Sequence, residues 1–211
     1  MSSRIAATSA RRLGQLQRQG TVFFLCDIQE KFRAGIHAFE SLVQVAQKMS
    51  RFAEISKIPL IATEQYPKGL GHTASEISLD HAELVEEKTK FSMLTPAVAG
   101  KLEELKTQSV VLFGIESHVC VLQTCLDLLA LDYDVHVLAD GVSSMNSPEI
   151  DIALNRMAHA GAHVVSSESI MFQLTGDSKD PVFKQISSLV KEYQVLAQQN
   201  KLLFKHGTAQ L

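Results

Sequence analysis

Residues 21–27 read TVFFLCD, five apolar side chains in a row closing on an acid. A short continuous apolar run of this kind is a strand buried on both faces. Working outward, Ile58–Thr63 (IPLIAT) and Ser109–Ile115 (SVVLFGI) repeat the pattern, with Pro59 near a strand start where a missing donor is tolerated. Leu84–Lys88 is a shorter, weaker strand, Tyr133–Ala139 alternates as a strand, and Ala162–Ser166 closes the set. Between them lie helical patterns. Phe39–Lys57 carries Leu42, Val45, Ala46, Met49, Phe52 and Ala53 as a helical stripe. Pro96–Leu105, Val119–Leu131, Glu149–Ala160 closed by Gly161, Glu168–Leu174 and Val182–Ala197 supply the others, and Glu64–Ser78 reads as a loop. Strands alternating with helices require parallel pairing with helical crossovers on both faces. The expected fold is therefore α/β, a three-layer α/β/α sandwich around a mainly parallel, Rossmann-like sheet.

Composition narrows the function classes. The chain has 211 residues, 45% apolar and 20% charged, which is ordinary globular usage and one domain's worth of core. A net charge of −3 provides no basic field, so no nucleic-acid partner is expected. The lack of a long uncharged apolar run argues against a membrane span. Three cysteines, Cys26, Cys120 and Cys125, cannot build a disulfide framework and fit a reducing compartment. Residues 1–19 read as an N-terminal arm, 20–197 as the domain and 198–211 as a C-terminal tail. The arm is rich in Arg and Ser and free of acid. The expected location is the cytoplasm, with the mitochondrion as the alternative that this transit-like composition raises.

In a parallel α/β sheet the chemistry sits at the carboxyl ends of the strands. Asp27 and Lys88 end strands, and Cys120 follows one by a few residues. A cysteine at a helix N-terminus is biased toward thiolate, a nearby lysine adds to that, and an aspartate in reach can carry the proton. Each residue also has a plain structural reading. Free cysteine is usually core, a strand-end aspartate is often a turn former, and Lys88 sits beside Glu87 and Lys90 as a solvated charge would.

The runs FLCDIQEKF (24–32), ATEQYPKGLG (62–71), EKTKFSML (87–94) and GIESHVCVLQTCLDLL (114–129) resemble the isochorismatase-like cysteine hydrolases, and more narrowly the eukaryotic isochorismatase domain-containing proteins. LADGVSS (138–144) and SSESIMFQL (166–174) extend the resemblance to about residues 20–195. It implies a six-stranded sheet and a catalytic triad of Asp27, Lys88 and Cys120, with Lys90 the competing lysine. It also implies a cis peptide at Ile115–Glu116 that turns backbone N–H groups, with that of Cys120, toward an oxyanion site. Metal-dependent relatives carry an Asp-x-His pair where this chain has Glu64, Gln65 and Tyr66, so His72 lacks metal-binding partners and no metal or other cofactor is expected. The resemblance further implies a homo-oligomer.

Gln29, Phe32, Tyr66, Phe91 and His118 neighbour the matched segments and are candidates to line a substrate pocket, with Met93 beside them. Cys26, adjacent to Asp27 in a strand, should point to the opposite face and pack under a helix. Cys125 is rotated away from Cys120 on the same helix. His136, His159 and His163 lack metal-ligand spacing. The expected activity is metal-independent hydrolysis of a small amide or related molecule. The competing readings are a catalytically silent scaffold serving as a protein-interaction module, and a redox sensor, which would need a resolving cysteine that Cys125 is poorly placed to be.

Overall fold

The computed structural model describes residues 13–203. The strands are β1 (Thr21–Cys26), β2 (Leu60–Gln65), β3 (Leu84–Lys88), β4 (Ser109–Ile115), β5 (Asp134–Ser143) and β6 (His163–Val165). They form one sheet in the order β3-β2-β1-β4-β5-β6, every pair parallel. The helices are α1 (Phe39–Ser56), a single turn α2 (Pro67–Leu70), α3 (Pro96–Glu104), α4 (Leu122–Ala130), α5 (Pro148–Ala160), α6 (Ser167–Thr175), α7 (Phe183–Glu192) and α8 (Gln194–Gln198).

Strand alternation divides the core between two faces. Phe23, Leu25, Leu60, Val111 and Phe113 pack with α1, α6 and α7 residues such as Leu42, Met49, Phe52, Ile170 and Ile186. Val22, Phe24, Cys26, Val110 and Leu112 pack on the other face with Leu102, Val121, Cys125, Leu128 and Met157 of the α3–α5 side. This is the expected three-layer sandwich. Local chemistry fixes the helix ends. The Thr95 side chain accepts a hydrogen bond from the Val98 N–H at 3.2 Å, and Pro96 takes the first helical position, where its missing N–H costs nothing. Gly161, at φ 110°, ends α5.

Four segments depart from the sequence reading. β2 continues past Thr63 to Gln65, because Gln65 is held in register opposite Lys88. The loop expected from Glu64 therefore starts later and contains α2. β5 runs to Ser143 rather than Ala139, resuming its pairing with β4 at Gly114–Val142 after an irregularity. Val182–Ala197 is two helices, since Tyr193 lies between them with φ −91° and ψ 3°. Cys120 sits not in regular α-helix but in a π-type turn, Ser117–Val121, ahead of α4.

At the two ends, Leu16 is buried in the core and Arg18 donates to the Leu174 carbonyl at 3.0 Å, while Leu202 is buried near the other end. The remainder of the expected arm and tail, residues 1–12 and 204–211, lies outside the described residues. Among the described residues no helix is long and apolar enough to cross a membrane.

One close approach holds the centre of the sheet. Gly114 of β4 has φ +132°, and a Cβ there would lie 2.1 Å from the Cys26 carbonyl oxygen of β1. Backbone on both sides cannot yield, so only glycine fits. Gly114→Ala should cost about 3 kcal/mol or more, lowering Tm by roughly 6–12 °C. Gly100→Ala is the control, being mid-helix with nothing within 4 Å of the new methyl group, and should be neutral to slightly stabilising by thermal denaturation.

Candidate active site

β1 and β4 are neighbours, yet the chain runs outward from β1 to β2 and β3 before returning to β4. The direction of winding therefore switches between β1 and β4, and such a switch opens a crevice beyond the strand ends. Asp27 follows β1 and Cys120 follows β4, so topology alone puts both at that crevice.

Asp27 has φ 52°, which takes it out of the extended conformation and breaks the alternation of β1. Its side chain is 2% exposed. Oδ1 accepts from the Thr63 hydroxyl at 2.8 Å, and Oδ2 accepts from the Lys88 ammonium at 2.7 Å. Lys88 closes β3, and its side chain has no exposure. Its ammonium also donates to Gln65 Oε1 at 2.7 Å and to the carbonyls of Phe91 and Lys90 at 2.9 and 3.1 Å. A buried cation needs this saturation, because its desolvation cost is several kcal/mol. Burial pulls the Lys88 pKa down, but the acidic groups around it, Cys26, Asp27 and Cys120, outweigh that and raise it above the ordinary lysine value. Lys88 thus remains an ammonium with every proton engaged. The competing lysine, Lys90, is half-exposed and pairs with Asp127 at 3.1 Å.

Cys120 is 7% exposed and lines a cleft of about 270 Å³. Asp27, Gln65 and Glu116 supply its other polar lining; Phe32, Tyr66, Leu70, Phe91, Ile115 and Val119 supply the apolar part. The Ile115–Glu116 peptide is cis, and the Glu116 carbonyl accepts from the N–H groups of Val119 and Val121 at 3.0 and 3.1 Å. The Thr124 hydroxyl donates to the Cys120 carbonyl at 2.7 Å and accepts from the Met93 N–H at 2.8 Å. A larger cavity, about 470 Å³, opens between α1, α6 and α8 and contains none of Asp27, Lys88 or Cys120, so cavity size does not locate this chemistry.

Among the pocket candidates, Phe32, Tyr66 and Phe91 line the cleft, whereas Gln29 and His118 do not. Gln29 is fully buried and ties the segment after β1 to Gln65 and Gly71, donating to both carbonyls and accepting from the Gln65 N–H. Its amide matches paired backbone groups, which keeps it in the wall behind the cleft. His118 turns toward Ser144 at the end of β5, Nδ1 to Oγ 2.9 Å. Met93 is core. Sequence reasoning missed Thr63 and Gln65, which orient Asp27 and Lys88. The available signal was their position at the end of β2 between the two.

Cys26 is core, but not remote from the site as strand alternation suggested. The turn at Asp27 brings Oδ2 to 3.6 Å from Cys26 Sγ. Burial, a hydrogen bond with Cys120 and the Asp27 charge push the Cys26 thiol well above its usual pKa. Burial alone pushes Cys125 up to about 12. His72 lies in the loop after α2. It pairs with Glu64 at 2.8 Å, while Glu64 also accepts from the Thr73 N–H and hydroxyl.

An isochorismatase domain model matches residues 21–169, and the chain belongs to the isochorismatase family. It is 49% identical over 185 residues to isochorismatase domain-containing protein 1 of Salmo salar, covering 87% of this chain and 65% of that protein. It is 45% identical to isochorismatase domain-containing protein 2 of Xenopus laevis, covering 88% of this chain and 90% of that one. Among solved structures, one described as a MAR1 ribonuclease from Caenorhabditis elegans superposes with a TM-score of 0.81 at 41% identity, covering 84% and 92% of the two chains.

Two outcomes follow from the site. In the folded protein, a thiol-alkylating reagent at neutral pH should modify Cys120 and spare Cys26 and Cys125, with all three reacting after denaturation, as read by peptide mass spectrometry. The second concerns His72, whose pKa is raised chiefly by its hydrogen bond to Glu64. A raised value in the folded state means that its contribution is complete below the unfolded pKa and lost as pH rises through the folded one. The Tm advantage of wild type over His72→Gln should be present at about pH 6 and gone by about pH 9.

Proposed function

We propose that this protein is a metal-independent cysteine hydrolase acting on a small amide or related molecule, with Cys120 the nucleophile, Asp27 the proton carrier and Lys88 its electrostatic partner. The observation that carries the reading is one cleft of about 270 Å³ lined by both Cys120 and an Asp27 already ion-paired at 2.7 Å to a fully buried lysine. Asp27 takes the Cys120 proton, and the thiolate attacks the substrate carbonyl carbon. The oxyanion is held by backbone N–H groups of the Ile115–Glu116 turn and Cys120. The carbon–nitrogen bond breaks as the amine leaves with the proton from Asp27. Water then gives a proton to Asp27 and attacks the thioester. The acid departs, and the proton returns to sulfur. Lys88 keeps its own protons throughout and holds the carboxylate in place. Where metal-dependent relatives carry ligands, Glu64 is committed to His72 and Thr73, so no step is assigned to a metal.

A second reading comes from the nematode relative, described as a ribonuclease. The cleft lining disfavours it for this chain. Among the described residues its lining has neither lysine nor arginine to meet a phosphodiester, and Glu116 adds a carboxylate that no lysine or arginine of the lining offsets.

The test is a panel of small amides, ureido compounds, vinyl ethers and a single-stranded RNA, offered to wild type, Cys120→Ala and Lys90→Met. Wild type should turn over a member of the small-molecule set, Cys120→Ala should lose about 10³-fold or more, and Lys90→Met should be unaffected. Full activity in Cys120→Ala would overturn the mechanism. RNA as the one substrate consumed would favour the nematode relative's description. A Cys120 as inert to alkylation as Cys26 would favour the silent scaffold.

A further inference from the structure

Three polar side chains meet at the amino ends of β5 and β6, away from the strand ends that carry the cleft. Asp134 and His136 are two residues apart on β5 and so share a face, and His163 of β6 stands directly opposite His136 in the parallel register. The pairing assembles what spacing along the chain did not suggest. His136 Nε2 lies 3.2 Å from Asp134 Oδ2, and His163 Nε2 lies 3.3 Å from Asp134 Oδ1. The two imidazole rings stack with centroids 4.8 Å apart, and one ligand atom from each of the three residues falls within 4.8 Å of the others.

A hydrogen-bonded triad is the simpler account, with the Asp134 carboxylate between the two rings. His136 is buried and, among the described residues, its Nδ1 has no hydrogen-bond partner, so Nε2, facing Asp134, is its engaged nitrogen and the one placed to ligate. The same cluster admits another chemistry. An ion bound tetrahedrally with bonds of about 2.0–2.1 Å sets its ligands roughly 3.3–3.4 Å apart, inside the 4.8 Å spread of these three ligand atoms. Burial suits it too, since Asp134 and His136 are covered while the His163 side chain is 27% exposed and offers an entry path. Gly14 lies against the other edge of that ring, where a Cβ would come within 2.7 Å of Nδ1, so the covering backbone leaves Nε2 facing Asp134.

We propose that Asp134, His136 and His163 form a binding site for a divalent transition ion of the Zn²⁺ class, distinct from the hydrolytic cleft. Two imidazoles and a carboxylate are borderline donors that suit such an ion. The bound ion ties the three-residue edge strand β6 to β5, and it stabilises the fold without touching the reaction.

The test uses full-length protein freed of metal by chelator dialysis. Calorimetric titration with Zn²⁺, thermal melts with and without Zn²⁺, and absorption spectra with Co²⁺ are recorded for wild type, His163→Gln and Asp134→Asn. The expected result is one tight equivalent in wild type, weakened 100-fold or more in both variants, and a Zn²⁺-dependent rise in Tm confined to wild type. The Co²⁺ complex should lack the sulfur-to-cobalt charge-transfer band that ligation at Cys26 or Cys120 would produce. No tight equivalent in wild type, an equivalent retained in the variants, or that band in its spectrum would overturn the proposal.

Discussion

The structure depends on a buried ion pair. Lys88 and Asp27 are 61 residues apart in sequence and 2.7 Å apart in space, both shielded from water. A charge in that position is tolerable only if its partner is in place, and each of these is fixed by further hydrogen bonds from β2 and the segment after β3. Cys26 is in register with Thr63, and β2 and β3 run two residues further, to Gln65 and Lys88. That overhang carries Lys88 past the end of β1 to meet Asp27, and Cys120 approaches from β4 on the far side of the switch in winding.

Much of the fold was legible because buried parallel strands write themselves as uninterrupted apolar runs. TVFFLC, LIAT and SVVLFGI could be read from composition alone, and their helices from the 3.6-residue stripe. What failed to show was set by contacts between segments. Nothing local in ADGVS announces that β5 continues after Ala139, because its extension is dictated by pairing with Gly114 and Ile115 on β4. The break at Tyr193 is likewise invisible to periodicity, as the apolar pattern crosses it without interruption.

The candidate site divides in the same way. Asp27, Lys88 and Cys120 could be proposed from their place at strand ends together with the family resemblance, since position along a strand survives in sequence. Side-chain direction does not. Gln29 and His118 lie in the right segments but point elsewhere, one to backbone amides and the other to Ser144. Strand alternation puts Cys26 on the face opposite Asp27, and the positive φ of Asp27 cuts that alternation short. Asp134, His136 and His163 show no common spacing along the chain because cross-strand register, not sequence separation, brings them together.

The Thr124 hydroxyl has a mechanical consequence. By joining the Cys120 carbonyl to the Met93 amide, it links the sulfur-bearing turn to the loop whose Phe91 and Lys90 carbonyls hold the Lys88 ammonium. The Cys120 turn and the loop that holds the Lys88 ammonium are thus joined through one side chain, and because Phe91 of that loop also lines the cleft, its rim and its polar floor share a single support.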